Sequence, residues 1–225
     1  LFFAHTEKAR ENLLSEGVDP KKIAVTGNTV IDALLDTADK KLDEESSIIE
    51  RLSLNGRKTI LMTAHRRENF GEPIQNICKA VKEVADKYKD EINFVYPVHL
   101  NPNIQDCVKS ILGKTDNIKL IDPLDYHELV HLMKQSYFVL TDSGGLQEEA
   151  PSLGKPVLVL RQTTERPEGV EAGCAKVVGT DVERIVKAIS KLLENKLAYG
   201  QMAKATNPYG DGKASQKIVQ RFIAV

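Results

Sequence analysis

The sequence predicts an α/β fold: a parallel β-sheet covered by helices on both faces. Three observations carry this. Short runs such as residues 59–63, Ile92–Pro97 and residues 156–160 are apolar at consecutive positions, as in strands buried on both sides. Between the runs stand stretches with apolar residues at helical spacing, for example Ile74, Ile77, Val81 and Val84. The most unusual polar stretches fall where apolar runs end, and parallel sheets bind their ligands at the carboxyl ends of strands.

In chain order, residues 1–4 read as a strand, and Thr6 is placed to cap a helix reaching about residue 16. Ala9, Leu13 and Leu14 form its apolar face, and Gly17 stops it. Pro20 turns the chain into a strand at residues 23–26, and Gly27-Asn28-Thr29 opens a helix carrying Val30, Ile31, Leu34 and Leu35. Residues 36–51 are highly charged and read as a solvated helical connector, the best compositional candidate for a domain boundary. From Lys58 a regular alternation begins. Strands are expected at 59–63, Ile92–Pro97, Ile118–Ile121, 137–141, 156–160 and 175–178. Helices are expected at 73–87, briefly after Pro102, at 126–134, 182–195 and 211–225.

Composition narrows the class. In 225 residues, 31 Lys and Arg nearly balance 32 Asp and Glu, so net charge gives no nucleic-acid footprint. No apolar run approaches the roughly 20 residues of a membrane span, and the opening Leu-Phe-Phe-Ala is too short for a signal peptide. Cys78, Cys107 and Cys174 are odd in number and widely spaced, which points to reduced thiols in a cytoplasmic protein and away from zinc. The chain starts on an apolar run rather than Met, so it is expected to open within a larger protein.

The sharpest local signal is Thr141-Asp142-Ser143-Gly144-Gly145-Leu146-Gln147-Glu148-Glu149. Two glycines between a strand and a helix let backbone N–H groups approach an anion, with the helix dipole behind them. Ser143 can cap that helix or donate to a phosphate oxygen, and Glu149 can accept the two hydroxyls of a ribose. A nucleoside diphosphate matches this pair of features; an ordinary βα turn with surface acids is the alternative.

His65 follows a strand and precedes Arg66 and Arg67, an arrangement suited to a diphosphate leaving group. One of the two arginines could instead pair with Glu68. His99 is either a ligand contact or the cap of the next helix. Arg166 either holds phosphate or pairs with Glu165 and Glu168. Asn207-Pro208-Tyr209-Gly210-Asp211-Gly212 reads as a turn that needs no ligand.

Together these stretches make the chain resemble the non-hydrolysing UDP-N-acetylglucosamine 2-epimerases. The matching motifs are Thr63-Ala64-His65-Arg66-Arg67-Glu68-Asn69, Tyr96-Pro97-Val98-His99-Leu100-Asn101-Pro102, the segment from Thr141 to Gly154, the segment from Thr163 to Gly173, the turn from Asn207 to Gly212, and the opening Phe3-Ala4-His5-Thr6-Glu7. The resemblance implies a GT-B architecture of two Rossmann-like domains facing across a cleft. Residues 1–28 would be a remnant of the first domain and 29–225 the UDP-binding second domain, with the helix at 211–225 crossing back.

The resemblance also implies site roles. His65 would be catalytic and contact the diphosphate, with Ser143, Gly144, Gly145 and Arg166 on phosphate and Glu149 on the ribose. Uracil would lie near residues 123–129, where relatives carry an amide and an aromatic in place of Leu124 and Leu129. Arg66 and His99 match a second, activating UDP-N-acetylglucosamine site. UDP would be eliminated across C1–C2 and re-added with C2 inverted, without NAD or metal. The carboxylates for C2 proton transfer would lie in the first domain, and the complete protein would be a homodimer. Other readings are a GT-B UDP-sugar glycosyltransferase, a hydrolysing epimerase and a stand-alone UDP-binding module.

Overall fold

Leu1, Phe2 and Phe3 open a small parallel pair, β1 (Phe2–Ala4) with β2 (Ile23–Val25), joined by helix α1 (Glu7–Ser15). Thr6 caps α1, its side chain accepting from the N–H of Ala9. No residue of α1 is fully buried; Ala9, Leu13 and Leu14 are only half covered. Helix α2 (Thr29–Asp39), capped by the Asn28 side chain, then leads away from the pair. The computed structural model describes residues 1–40, 48–54 and 56–223.

The rest is one layered unit. Helix α3 (Ile48–Arg51) precedes β3 (Lys58–Thr63), α4 (Glu72–Lys87), β4 (Ile92–Pro97), α5 (Pro102–Leu112), β5 (Ile118–Ile121) and α6 (Tyr126–Gln135). Then come β6 (Phe138–Thr141), α7 (Gly144–Glu149), β7 (Val157–Val159), α8 (Pro167–Glu171), β8 (Ala175–Val177), α9 (Val182–Glu194), α10 (Lys196–Ala203) and α11 (Ala214–Ile223). The six later strands form one parallel sheet in the order β5-β4-β3-β6-β7-β8.

Strand residues alternate between two cores, because successive side chains leave opposite faces. Ile60, Met62, Phe94, Tyr96, Phe138 and Leu140 meet α4, α5 and α9. Leu61, Val95, Val139, Val157 and Val159 meet α2, α3, α6 and α7. Both faces are apolar, which is why the strands read as unbroken hydrophobic runs. Each fully buried Ile, Leu or Phe here contributes about 1.5–3 kcal/mol of transfer free energy.

The order matters for function. Successive strands run outward from β3 through β4 to β5, and the chain then returns to add β6, β7 and β8 on the other side. The switch point therefore lies between the carboxyl ends of β3 and β6, where a crevice opens in such sheets.

Several elements differ from expectation. The stretch 36–51 is not solvated throughout: Ala38 and Ile48 are buried in the second core, and residues 41–47 lie outside the described residues. Helix α2 runs on past Asp36, and the buried face begun by Ile31 and Leu34 continues to Thr37 and Ala38. Helix α10 was not predicted; Gly200 lies inside it, and Tyr199 anchors it by stacking on Tyr137 at 4.1 Å. The last helix starts at Ala214 rather than residue 211, since Gly212 holds φ at 76° and cannot be helical. Residues 224–225 lie outside the described residues. Among the described residues no helix is long and apolar enough to cross a membrane.

The start of α11 is held from a distance. The Asp32 carboxylate on α2 accepts from the N–H groups of Ala214 at 3.0 Å and Ser215 at 2.7 Å. Partial burial pushes the Asp32 pKa up, but the hydrogen bonds from Ser215 and Ala214 outweigh it and leave the group lowered. A lowered carboxylate pKa adds stability above its ordinary value, and that stability is lost as pH falls through the folded value. Asp32→Ala is expected to cost about 1 kcal/mol, as loss of a helix cap does. Urea unfolding would read the cost, and amide exchange at Ala214 and Ser215 would locate it. The wild-type advantage should fade below about pH 4.

Candidate functional site at the strand switch point

The site grows from Asp142, the residue after β6. Its carboxylate is fully buried. Oδ2 accepts from the backbone N–H of His65 and of Arg66, both at 2.8 Å, and from Asn69 Nδ2 at 2.9 Å. Asn69 is itself buried and also donates to the Leu160 carbonyl at 3.2 Å. The loop after β3 is thus tied across the switch point to the turn after β6.

That tie sets His65. Its Nδ1 stands 3.6 Å from Asp142 Oδ1, and its ring stacks on His99 with centroids 5.6 Å apart and planes 12° apart. His99 Nδ1 accepts from the Asn101 N–H at 3.1 Å, while Asn101, not His99, caps α5. The capping reading of His99 is therefore corrected: its ring supports the turn and lies against His65.

Arg66 and Arg166 converge on Gly144. A Cβ built at this buried glycine would lie 3.4 Å from Arg66 Nη2 and 3.8 Å from Arg166 Nη2. Two guanidinium groups thus stand over the first residue of a helix whose leading backbone N–H groups have no intrahelical partner, a setting that favours an anion. Ser143 sits at the N-cap position without a side-chain capping bond, so the capping alternative for its hydroxyl is not what the fold uses. Gly145 follows, exposed, with Glu149 Oε1 3.3 Å from where its Cβ would be.

The pairings expected of the charged loops are rearranged. Glu68 pairs with neither Arg66 nor Arg67; it is held by buried Arg161, at 2.6 Å from Nε and 3.3 Å from Nη2. Glu165 is also on Arg161, at 3.4 Å, and Glu168 accepts from Thr6 at 2.7 Å. Arg166 gives its Nε to buried Glu148 and its Nη1 to the Glu165 carbonyl, so it pairs with neither carboxylate named for it. Glu148 takes a second bond from the Asn28 side chain.

The turn from Asn207 to Gly212 does more than reverse the chain. Asn207 Nδ2 donates to the Glu148 carbonyl at 3.0 Å. Tyr209, fully buried, donates to the Arg166 carbonyl at 3.2 Å and accepts from the Gly169 N–H at 3.0 Å. These bonds fix the loop that carries Arg166.

Glu149 is 7% exposed, and its Oε2 accepts from the Tyr126 hydroxyl at 3.0 Å. Burial raises its pKa, the bond from Tyr126 works against this, and the neighbouring Glu148 charge adds to the rise. Oε1 has no part in the Tyr126 bond and lies beside Gly145. Leu124 lines a hollow of about 500 Å³ with Pro123, Val98, Asp122 and Arg51, whereas Leu129 is outside that lining and packs half-buried on the second core. A second hollow, of about 540 Å³, is bounded by His5, Thr26, Pro151 and Asn207. Neither hollow is lined by His65, Ser143 or Gly144.

Sequence reasoning missed Asp142, Glu148 and Tyr126. Asp142 and Glu148 carry no local signal, since an acid in a polar loop is usually solvated. Tyr126 could have been found as the one aromatic side chain within the segment after β5 that faces Glu149.

The chain as a whole matches a known group of proteins. The UDP-N-acetylglucosamine 2-epimerase family model matches residues 1–222. The chain belongs to the UDP-N-acetylglucosamine 2-epimerase family. A family member from Yersinia pestis is 52% identical over 223 residues, covering 97% of this chain and 59% of that protein. The S. aureus MnaA–UDP co-structure superposes with a TM-score of 0.92 at 50% identity, covering 99% of this chain and 60% of that one. The Neisseria meningitidis UDP-GlcNAc 2-epimerase bound to UDP-GlcNAc gives 0.90 at 46%, covering 99% and 61%. The chain spans about 60% of the length of these 2-epimerases and aligns with their C-terminal part. Its sheet is a Rossmann-like unit of the GT-B architecture that the structural neighbours share.

Proposed function

We propose that the complete protein interconverts UDP-N-acetylglucosamine and UDP-N-acetylmannosamine in the cytoplasm, and that this chain supplies the UDP-binding half. One observation carries the reading: Arg66 and Arg166 meet over the missing Cβ of Gly144, at the strand switch point, with buried Glu149 one helical step beyond. The S. aureus and Neisseria relatives, solved with UDP and with UDP-GlcNAc, support the ligand class.

In this reading the diphosphate lies on the Gly144-Gly145 turn under Ser143, Arg166 and His65. The ribose hydroxyls donate to Glu149, and the uracil lies against residues 123–129 beside Leu124 and Leu129. Arg66 stands beside the diphosphate, and Arg66 and His99 face a second, activating nucleotide sugar. Elimination places the negative charge that develops on the leaving UDP among these cations and N–H groups, which is where electrostatic stabilisation is largest. His65 supplies the proton exchange at the departing phosphate. The C2 proton is handled by carboxylates of a first domain, of which residues 1–28 are the remnant. Helix α11 crosses towards that domain: Val219, Phe222 and Ile223 are exposed, as are Phe2 and Val25 on the small sheet. The complete protein works as a homodimer.

The test has two arms. Calorimetry is expected to show saturable UDP binding by this chain, while the chain alone leaves UDP-GlcNAc unchanged and the complete protein interconverts the two sugars. A complete protein that binds no UDP, or that yields only free sugar and UDP, would overturn the reading.

A further inference from the structure

The chemistry assigned to His65 leaves open which of its two ring nitrogens exchanges the proton. Asp142 answers this, and the reasoning rests on the nucleotide reading only for what the outer nitrogen meets.

One oxygen of Asp142 is saturated. Oδ2 takes the N–H of His65, the N–H of Arg66 and Asn69 Nδ2, all within 2.9 Å. The other oxygen, Oδ1, is buried and has no hydrogen-bond partner among the described residues. A buried acceptor without a donor costs on the order of 1–3 kcal/mol. The ring nitrogen facing it is His65 Nδ1, 3.6 Å away. That is beyond hydrogen-bond length, and contacts of this kind often run long until the ligand is bound. The His65 ring lies face to face with His99, which sets the plane in which Nδ1 meets Oδ1. His99 is oriented in turn by the Asn101 N–H on its own Nδ1.

We propose that Asp142 is a positioning residue that keeps a proton on His65 Nδ1, so that His65 gains and loses its charge only at Nε2, the edge turned away from Asp142. The carboxylate oxygen accepts and cannot donate, so Nδ1 must be the donor in both charge states. The proton that comes and goes is then the one on Nε2, aimed at the leaving phosphate. Were the neutral ring protonated on Nε2 instead, its basic site would face Asp142 and protonation would occur where no ligand reaches. Side-chain histidines in water favour that Nε2-protonated form, so the site must override an intrinsic preference.

The experiment is long-range ¹H–¹⁵N correlation NMR of the labelled chain without ligand, at about pH 8.5, two units above the ordinary histidine pKa. His65 is assigned as the signal missing in His65→Gln. Wild type is expected to show Nδ1 protonated and Nε2 bare. Asp142→Asn is expected to reverse this. The asparagine carbonyl must turn to the His65, Arg66 and Asn69 donors, which leaves its NH₂ against Nδ1 and makes Nδ1 the acceptor. Saturating UDP should move the wild-type Nε2 resonance and leave Nδ1 in place.

A wild-type His65 protonated on Nε2 overturns the inference, and so does an Asp142→Asn chain that keeps the wild-type tautomer. If the variant does not fold, the wild-type spectrum alone decides. The ligand-free spectrum is independent of nucleotide. A chain with Nδ1 protonated that binds no UDP upholds the role of Asp142 and overturns the UDP reading instead.

Discussion

Glu149→Ala is expected to abolish saturable UDP binding at concentrations that saturate the wild-type chain. The expected loss is about 3 kcal/mol, or roughly 100-fold, from two ribose hydroxyls that donate to one carboxylate in a desolvated setting. The fold prepares this carboxylate. Tyr126 occupies Oε2, so Glu149 is already oriented, and Oε1 lies beside Gly145 in the turn that opens α7. Its raised pKa gives the prediction a sign with pH. A carboxyl whose folded pKa lies above its unfolded value holds its proton more tightly when folded. Its contribution to stability is therefore present at low pH and lost as pH rises through that window. Ligand binding runs the other way, because hydroxyls donate best to the ionised form. UDP affinity should thus rise, and apo stability fall, as pH climbs from about 4.3, the usual Glu value. Glu149→Gln separates the two effects. It should unfold at the same temperature as wild type or higher at neutral pH, yet bind UDP about tenfold more weakly, on the scale of one charge-assisted bond. Calorimetry paired with thermal unfolding checks both. UDP binding undisturbed in Glu149→Ala would remove the ribose from this position.

Residues whose role is local were legible in the sequence, and residues whose role is set by a distant partner were not. Consecutive apolar residues in β3, β4 and β6 announced strands buried on both faces, since no solvent-facing position had to be polar. The glycine pair at 144–145 announced a turn made for close approach. Four polar loops at strand ends announced a site, because a rigid parallel sheet gathers those ends on one side. Asp142 gave no such signal. Its role depends on His65 and Asn69, more than seventy residues away in sequence, and on burial that an aspartate in a loop does not advertise. Glu68 misleads for the same reason: Arg66 and Arg67 stand beside it in sequence, yet the fold pairs it with Arg161, 93 residues away. The small sheet and α1 follow the predicted pattern in sequence, yet α1 buries nothing fully, so its apolar face is a feature of the amino-acid pattern that the described residues do not use.

Gly144→Ala is expected to cut UDP affinity by 100-fold or more while leaving the apo fold as stable as wild type. Most glycine substitutions that disturb binding also disturb folding, and this site allows the two to be parted. Gly144 is the first residue of α7 and does not hold a positive φ, so an alanine adopts its backbone without strain. The added methyl meets Arg66 at 3.4 Å and Arg166 at 3.8 Å, ordinary contact distances, and both neighbours are ends of flexible side chains. Helix propensity even favours alanine, by up to about 1 kcal/mol in a helix interior and by less at its first turn. The ligand has no such latitude. A phosphate held between two guanidinium groups and the N–H groups of the turn must occupy the space the methyl fills, and charge-assisted bonds of this kind contribute about 1.5–3 kcal/mol each. Gly212→Ala is the contrasting case. There φ is 76° and the new Cβ would lie 2.6 Å from Leu35 Cδ1, so the cost falls on folding and leaves the turn at Gly144 untouched. Thermal unfolding and UDP titration on both variants should therefore give opposite patterns. A Gly144→Ala chain that binds UDP like wild type would show that the phosphate lies elsewhere than on this turn.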